Sequence, residues 1–154
     1  MTSDNVKGTD AVKGNMDKAQ AQILRAIEAG MYLATNNIAV TSMRNTPVDF
    51  GVLKGSHYVT LPQHEGGNIR VEIGVGGPAA SYAVKVHELD RPHKVGESKF
   101  LEKAIHQHAG GIQEEVRQLA TRAMSHLGAE VQMPTGVVPK TPNEGPKRPA
   151  GGGK

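Results

Sequence analysis

Cysteine is absent from all 154 residues, which excludes a disulfide framework, a thiolate metal site, an iron–sulfur cluster and a cysteine nucleophile. Tryptophan is absent as well and aromatic residues amount to only 3%, so a core has to be assembled from Ile, Leu, Val, Met and Ala. Such a core is thin. A chain of this kind can compensate by burying further area against copies of itself. Long apolar runs are also missing: Met1 to Met16 alternates polar and charged residues, and no stretch approaches the ~20 apolar residues that span a bilayer. The expectation is a chain made and folded in the cytoplasm, with no membrane partner. Its length suits one domain.

The formal charge is +3, and its location matters more than its size. From Pro139 to the C-terminus the basic residues are Lys140, Lys147, Arg148 and Lys154 against the single acid Glu144, so this tail alone carries the whole excess. The remainder holds 14 basic and 14 acidic residues. A broad DNA-binding face needs clustered Lys and Arg to displace counterions, and the folded part offers none by composition.

Three regions separate along the chain. Residues 1–15 are polar and contain Gly, and read as an arm, flexible or ordered by a partner. Residues 16–128 show regular periodicity. Residues 129–154 form a tail in which Pro134, Pro139, Pro142, Pro146 and Pro149 forbid a helix or a central strand; simple disorder or an extended arm lying on a neighbouring subunit both fit.

Inside the periodic region, Leu24, Ile27, Met31, Ala34 and Ile38 recur at spacings of three and four, which predicts a helix from Met16 to Arg44. It ends where Pro47 pushes its predecessor out of the helical region. His57 to Leu61 is rich in β-formers, and Ile69, Val71, Ile73 and Val75 alternate with Arg70, Glu72 and Gly74. The Gly66-Gly67 pair between these runs predicts a hairpin. Residues 79–89 fit a helical turn or a third strand. Ser98 is a candidate N-cap for a second long helix with Leu101, Ile105, His108, Ile112, Val116, Leu119 and Ala123 on one face. Gly110 and Gly111 interrupt it at about 1 kcal/mol each relative to Ala, which predicts a kink. The sum is an α+β domain: two long helices packed on a small antiparallel sheet.

Seven histidines raise the question of a metal or catalytic site. His87-Glu88 begins an HE pair, but a zincin helix needs its second His at the position occupied by Arg91. His93 sits in a Pro-adjacent loop. His106 and His108 point about 200° apart on a helix and cannot chelate one ion together; His108 reads instead as a packed, hydrogen-bonded residue. Neither GxSxG nor SxxK is present. Gly74, Gly76 and Gly77 follow a strand but lack both GxGxxG spacing and a GK[ST] ending, so they read as a sharp turn before Pro78. No metal, cofactor or catalytic residue is expected.

What remains has a recognisable order. The run Thr46-Pro-Val-Asp-Phe-Gly-Val-Leu-Lys-Gly-Ser56 resembles the TPVDTGxLxxS stretch of the tailed-bacteriophage neck or tail-completion family, often called minor capsid proteins. Residues 76–88, Gly-Gly-Pro-Ala-Ala-Ser-Tyr-Ala-Val-Lys-Val-His-Glu, resemble that family's segment ending in YAxxVHE. Residues 98–104, Ser-Lys-Phe-Leu-Glu-Lys-Ala, resemble its SKFLxxA helix start. The trio lies in the family's order and covers roughly Met16 to Leu127. Phe50 departs from the small residue or Thr usual at its position, and the Pro-rich tail has no counterpart.

The resemblance implies a structural virion protein, located in the neck of the particle after assembly in the host cytoplasm. It implies a homo-oligomeric ring, a hexamer or dodecamer, between head-side connector or portal proteins and the tail tube or tail terminator, with genomic DNA passing through. Head-to-tail rings need two different complementary patches per subunit. Candidate interface residues are Thr46, Pro47, Asp49, Phe50, Gly51, Leu53, Ser56, Tyr82, His87, Glu88, Lys99 and Phe100, with Lys140, Lys147 and Arg148 on the tail arm. Phe100 and Tyr82 can equally be core filler, Leu101 reads as core, and Glu88 and Lys99 can be plain solvated surface. Asp49 and Gly51 supply turn chemistry for a rigid corner between helix and sheet. The alternative function is a nucleic-acid-binding accessory protein acting through the basic tail; a small hydrolase with a His site assembled in space ranks below both.

Overall fold

A computed structural model describes residues 4–48, 51–90, 92–126, 128, 130–136 and 138–142. The architecture is α+β. Helix α1 (Asp4–Asn45) leads into a hairpin of strands β1 (His57–Val59), β2 (Gln63–Glu65), β3 (Asn68–Arg70) and β4 (Ile73–Val75), then helices α2 (Ala83–Glu88), α3 (Phe100–His108) and α4 (Ile112–Ser125).

α1 begins at Asp4, not near Met16, so residues 4–15, read from sequence as an arm, are helical. Its 42 residues extend about 63 Å at ~1.5 Å per residue. The C-terminal half is the spine of the fold and is gripped from two sides. On one side α4 approaches so closely that a Cβ on Gly30 would lie 3.1 Å from the Val116 Cα. On the other, Tyr32 and Ala39 pack with Val59. This explains why Tyr32, off the predicted apolar stripe, is 1% exposed while Leu24, on it, is 40% exposed. A helix clamped between two layers buries more than one face. Its end is sealed twice: the Thr46 hydroxyl donates to the Ser42 carbonyl at 2.7 Å, and the Glu97 N–H donates to the Asn45 carbonyl at 2.8 Å.

The hairpin forms as expected, but its second arm is not one seven-residue strand. His57 to Val59 pairs antiparallel with Val75 to Ile73, and Gln63 to Glu65 with Arg70 to Asn68. Residues 60–62 on the first arm face only residues 71–72 on the second, which makes a one-residue bulge at Pro62. Proline has no N–H to give the ladder, so the irregularity falls where it costs least. Gly66 (φ 56°) and Gly67 (φ 87°) close the hairpin with both residues left-handed, the condition for a type I′ turn.

The segment 79–89 is helical: a 3-10 turn over Pro78–Ala80 and then α2. The second long helix is two helices, because Ala109, Gly110 and Gly111 separate α3 from α4. Ser98 does not cap α3: Lys99 occupies that position with φ 55°, and the Ser98 hydroxyl bonds Asp90 at 3.0 Å. His108, as expected, is half-buried and hydrogen-bonded, to the Thr41 hydroxyl at 2.8 Å.

The described part of the tail, 130–136 and 138–142, adds to the core. Val138 is 4% exposed and packs with Tyr32, Ala39 and Val59. The Val59 N–H donates to the Pro139 carbonyl at 2.9 Å, which covers the open edge of β1. Gly136 lies so close to α1 that a Cβ there would meet the Tyr32 hydroxyl at 2.1 Å. Proline-rich composition rules out a helix or a central strand, but an extended segment along an edge satisfies it.

Candidate interaction surface

The three sequence segments that carry the family resemblance converge on Phe100. Leu53 from the first, Ala80 and Ala83 from the second and Phe100 from the third form one buried cluster, with Val75, Val86 and Leu101 packed around it. The Phe100 ring stands edge-on to His87, with centroids 5.0 Å apart. His57 flanks it from β1 at 5.9 Å, tilted by 51°.

Behind this cluster lies a buried polar network that fixes the corner between α1 and the hairpin. His57 is 1% exposed. Its Nδ1–H donates to the Lys54 carbonyl at 3.0 Å, which leaves Nε2 to accept from the Ser42 hydroxyl at 2.9 Å. Desolvation by burial holds the His57 pKa below its ordinary value, so the neutral tautomer that this network needs is the stable one. The Ser56 hydroxyl donates to the Leu53 carbonyl at 2.7 Å and accepts from the Gly76 N–H at 3.1 Å. The Gly76 amide is therefore committed to Ser56, and the glycine run is a turn with φ of 114° and 98° at Gly76 and Gly77.

The expected interface residues divide accordingly. Thr46, Leu53, Ser56 and Phe100 are buried within the chain, where they pack or bond beneath the surface. Pro47 and His87 are half-buried, while Gly51, Tyr82, Glu88 and Lys99 are exposed. Tyr82, at 45% exposure, is not core filler. Asp49, Phe50, Lys147 and Arg148 lie outside the described residues; Lys140 is exposed. Glu88 pairs with His87 Nδ1 at 2.9 Å, and Lys99 with Glu102 at 3.5 Å. His57 and Tyr32 are the anchors that sequence reasoning missed. For His57 the available signal was Ser42 and Thr46, four residues apart at the end of α1 and just past it, followed by a His at a strand start.

Exposed large apolar side chains are spread along the chain: Val12 and Met16, at 59% and 67% exposure, with Leu24 and Leu33 on α1; Val48, Val52, Leu61, Tyr82, Val84, Leu89 and Val95 between α1 and α3; and Ile105, Met124 and Met133 beyond. Between α2 and α3 runs a groove of about 180 Å³ lined by Ala83, Val84, His87, Phe100 and Leu101. His87 Nε2, also buried, has no hydrogen-bond partner among the described residues. On α4, Arg117 grips Glu114 through two bonds of 2.7 and 2.9 Å; these, with the Gln118 amide, lower the Glu114 pKa to about 2.

Among the described residues no group of three or more His, Asp or Glu is placed to hold a metal ion, and no helix is long and apolar enough to cross a membrane. No protein-family model, curated protein or solved structure matches the chain.

Proposed function

We propose that the chain is a structural subunit of the ring that joins head and tail in a tailed bacteriophage, in a neck, tail-completion or tail-terminator position. It acts by contact and not by catalysis. The ring of six or twelve copies docks the tail against the head-side connector and surrounds the passage for genomic DNA.

One observation carries this reading. Three stretches distant in sequence, each resembling the same family in the same order, meet around a single side chain, Phe100. Motifs that arise by chance have no reason to share a core. One feature adds support. Outside residues 139–154 the charges balance at 14 basic and 14 acidic, so a channel wall built from this domain has little hold on passing DNA.

The test is imaging of particles from a strain lacking the gene. Full heads and finished tails left unjoined are the expected result. Absence of the polypeptide from purified virions, or joined particles without it, removes the assignment.

A further inference from the structure

The seat beneath the C-terminal segment is built without that segment. α1 and the hairpin are tied to each other directly, by the Ser42 hydroxyl on His57 Nε2 at 2.9 Å and by His64 Nε2 against Glu28 Oε1 at 2.8 Å. Val40 and Met43 from α1, with Val71 and Ile73 from the hairpin, pack around the junction. We propose that this seat is a peptide-binding groove and that residues 134–139 are its tethered ligand, an occupant that leaves and returns while the rest of the chain stays folded.

The groove selects an extended segment of particular chemistry. Among the described residues β1 pairs with β4 alone, so its other edge faces outward, and there the Val59 N–H donates to the Pro139 carbonyl at 2.9 Å. Recognition at a strand edge takes affinity from main-chain bonds and selectivity from side-chain pockets. The pocket here takes Val138, packed on Tyr32, Ala39 and Val59. Two residues earlier only glycine fits, because a Cβ on Gly136 would collide with the Tyr32 hydroxyl. The groove therefore reads Gly-x-Val-Pro. Proline is tolerated at the last place because the edge asks there for a carbonyl and not for an N–H.

Few contacts hold the occupant. Among the described residues its backbone makes one bond to the seat, and Val138 is its one fully buried side chain. Tyr32 Oη and Asn36 Oδ1 lie under it without hydrogen-bond partners among the described residues, in side chains of two buried residues. Unpaired polar atoms in such a place count against the closed state. Seat and segment thus fit in shape but are not fully matched in polarity.

The tether supplies what the contacts do not. The Gly128 N–H donates to the Gln22 side chain at 2.8 Å, so the segment sets out level with Gln22. Tyr32 lies about 15 Å further along α1, whereas the chain from Gly128 to Gly136 can span up to about 26 Å. A tether with that slack keeps its end at a local concentration of about 1 mM, which fills even a groove of weak intrinsic affinity. A free segment of the same kind has to compete with it. Its apparent affinity for the intact chain falls by the ratio of the local concentration to the intrinsic dissociation constant, about tenfold for a constant of about 0.1 mM.

The test supplies the segment in trans. A fluorescent peptide of residues 130–142 is titrated into the full wild-type chain and into full chains carrying Val138→Asp or Gly136→Ala, two substitutions that disable the tethered end and leave every residue of the seat unchanged. Thermal melts establish that each protein is folded at the assay temperature. The expected result is binding to the variants at least about tenfold tighter than to the wild type, and none by peptides that themselves carry Val138→Asp or Gly136→Ala. Hydrogen exchange should show the Val59 amide faster in the variants than in the wild type and slowed again by the peptide. A folded variant that does not take the peptide overturns the groove, as does equal binding by wild type and variants, or by the substituted peptides. Loss of a cooperative melt in both variants overturns it too, since the segment is then part of the core and not its ligand. The neck reading is decided separately, by particle imaging.

Discussion

Replacing Gly136 with Ala tests whether the C-terminal segment is part of the fold. The added Cβ would stand 2.1 Å from the Tyr32 hydroxyl and 3.1 Å from Asn36 Oδ1. Tyr32 is 1% exposed and has no room to retreat. Backbone strain is not involved, because Gly136 is not among the left-handed glycines. The segment must therefore lift off α1. It would take with it the burial of Val138, worth about 1.5–3 kcal/mol. The Val59 to Pro139 hydrogen bond adds about 0.5–1.5 kcal/mol. The expected destabilisation is about 2–4.5 kcal/mol, or roughly 4–18 °C in Tm for a domain of this size. Thermal melts followed by circular dichroism give the shift, and limited trypsinolysis gives its location, since faster cleavage at Lys140 reports the lifted segment. Gly110→Ala is the matched control: nothing lies within 4 Å of its Cβ, and the change should be neutral or stabilise by about 0.5–1 kcal/mol. A Gly136→Ala protein that melts within about 1 °C of the wild type and resists trypsin equally would refute the docking of the tail.

Three further outcomes follow from the same geometry. His57 is held neutral by burial, its folded pKa lying below 6.5, so the unfolded chain takes up protons first. The stability it contributes is complete above pH 6.5 and falls as pH drops toward the folded pKa, at up to ~1.4 kcal/mol per pH unit. Urea unfolding between pH 5 and 7.5 should show this slope, and His57→Gln should flatten it. Phe100→Ala removes the side chain on which three segments converge and should cost about 3–5 kcal/mol in the same assay; a loss below 1 kcal/mol would mean the cluster is not cooperative. A chain ending at Pro142 keeps the docked Val138 but loses Lys147, Arg148 and Lys154, and should melt as the full chain does. If DNA retention on a column vanishes with those residues while assembly persists, the nucleic-acid reading replaces the neck reading.

Local grammar announced much of this fold. The end of α1 at Pro47, the hairpin across Gly66-Gly67 and the break at Gly110-Gly111 each follow from a residue whose backbone preference leaves few options. What escaped the sequence depends on neighbours far along the chain. A periodicity argument assigns one apolar face per helix, but α1 is held between α4 and the hairpin, so Tyr32 points where a polar residue was expected. Val138 is a lone apolar residue among prolines, and nothing local separates an anchored extended segment from a loose one. The corner showed only part of its logic: Thr46 and Ser56 belonged to a recognisable motif, yet their work, holding a buried His57 and a turning Gly76, emerges only once α1 and β1 lie side by side.

The neighbouring amides of Val59 and Thr60 report on different halves of the molecule. Val59 donates outward to Pro139, Thr60 inward to Glu72. Tyr32 Oη and Asn36 Oδ1, pressed under the tail, are buried with no hydrogen-bond partner among the described residues, so peeling the tail away lets water reach two polar atoms and recovers part of the cost of opening. In native-state hydrogen exchange the Val59 proton should leave through this sub-global opening, while its sequence neighbour waits for the hairpin itself to come apart. Two adjacent residues thereby act as separate clocks for the edge and the centre of one small sheet.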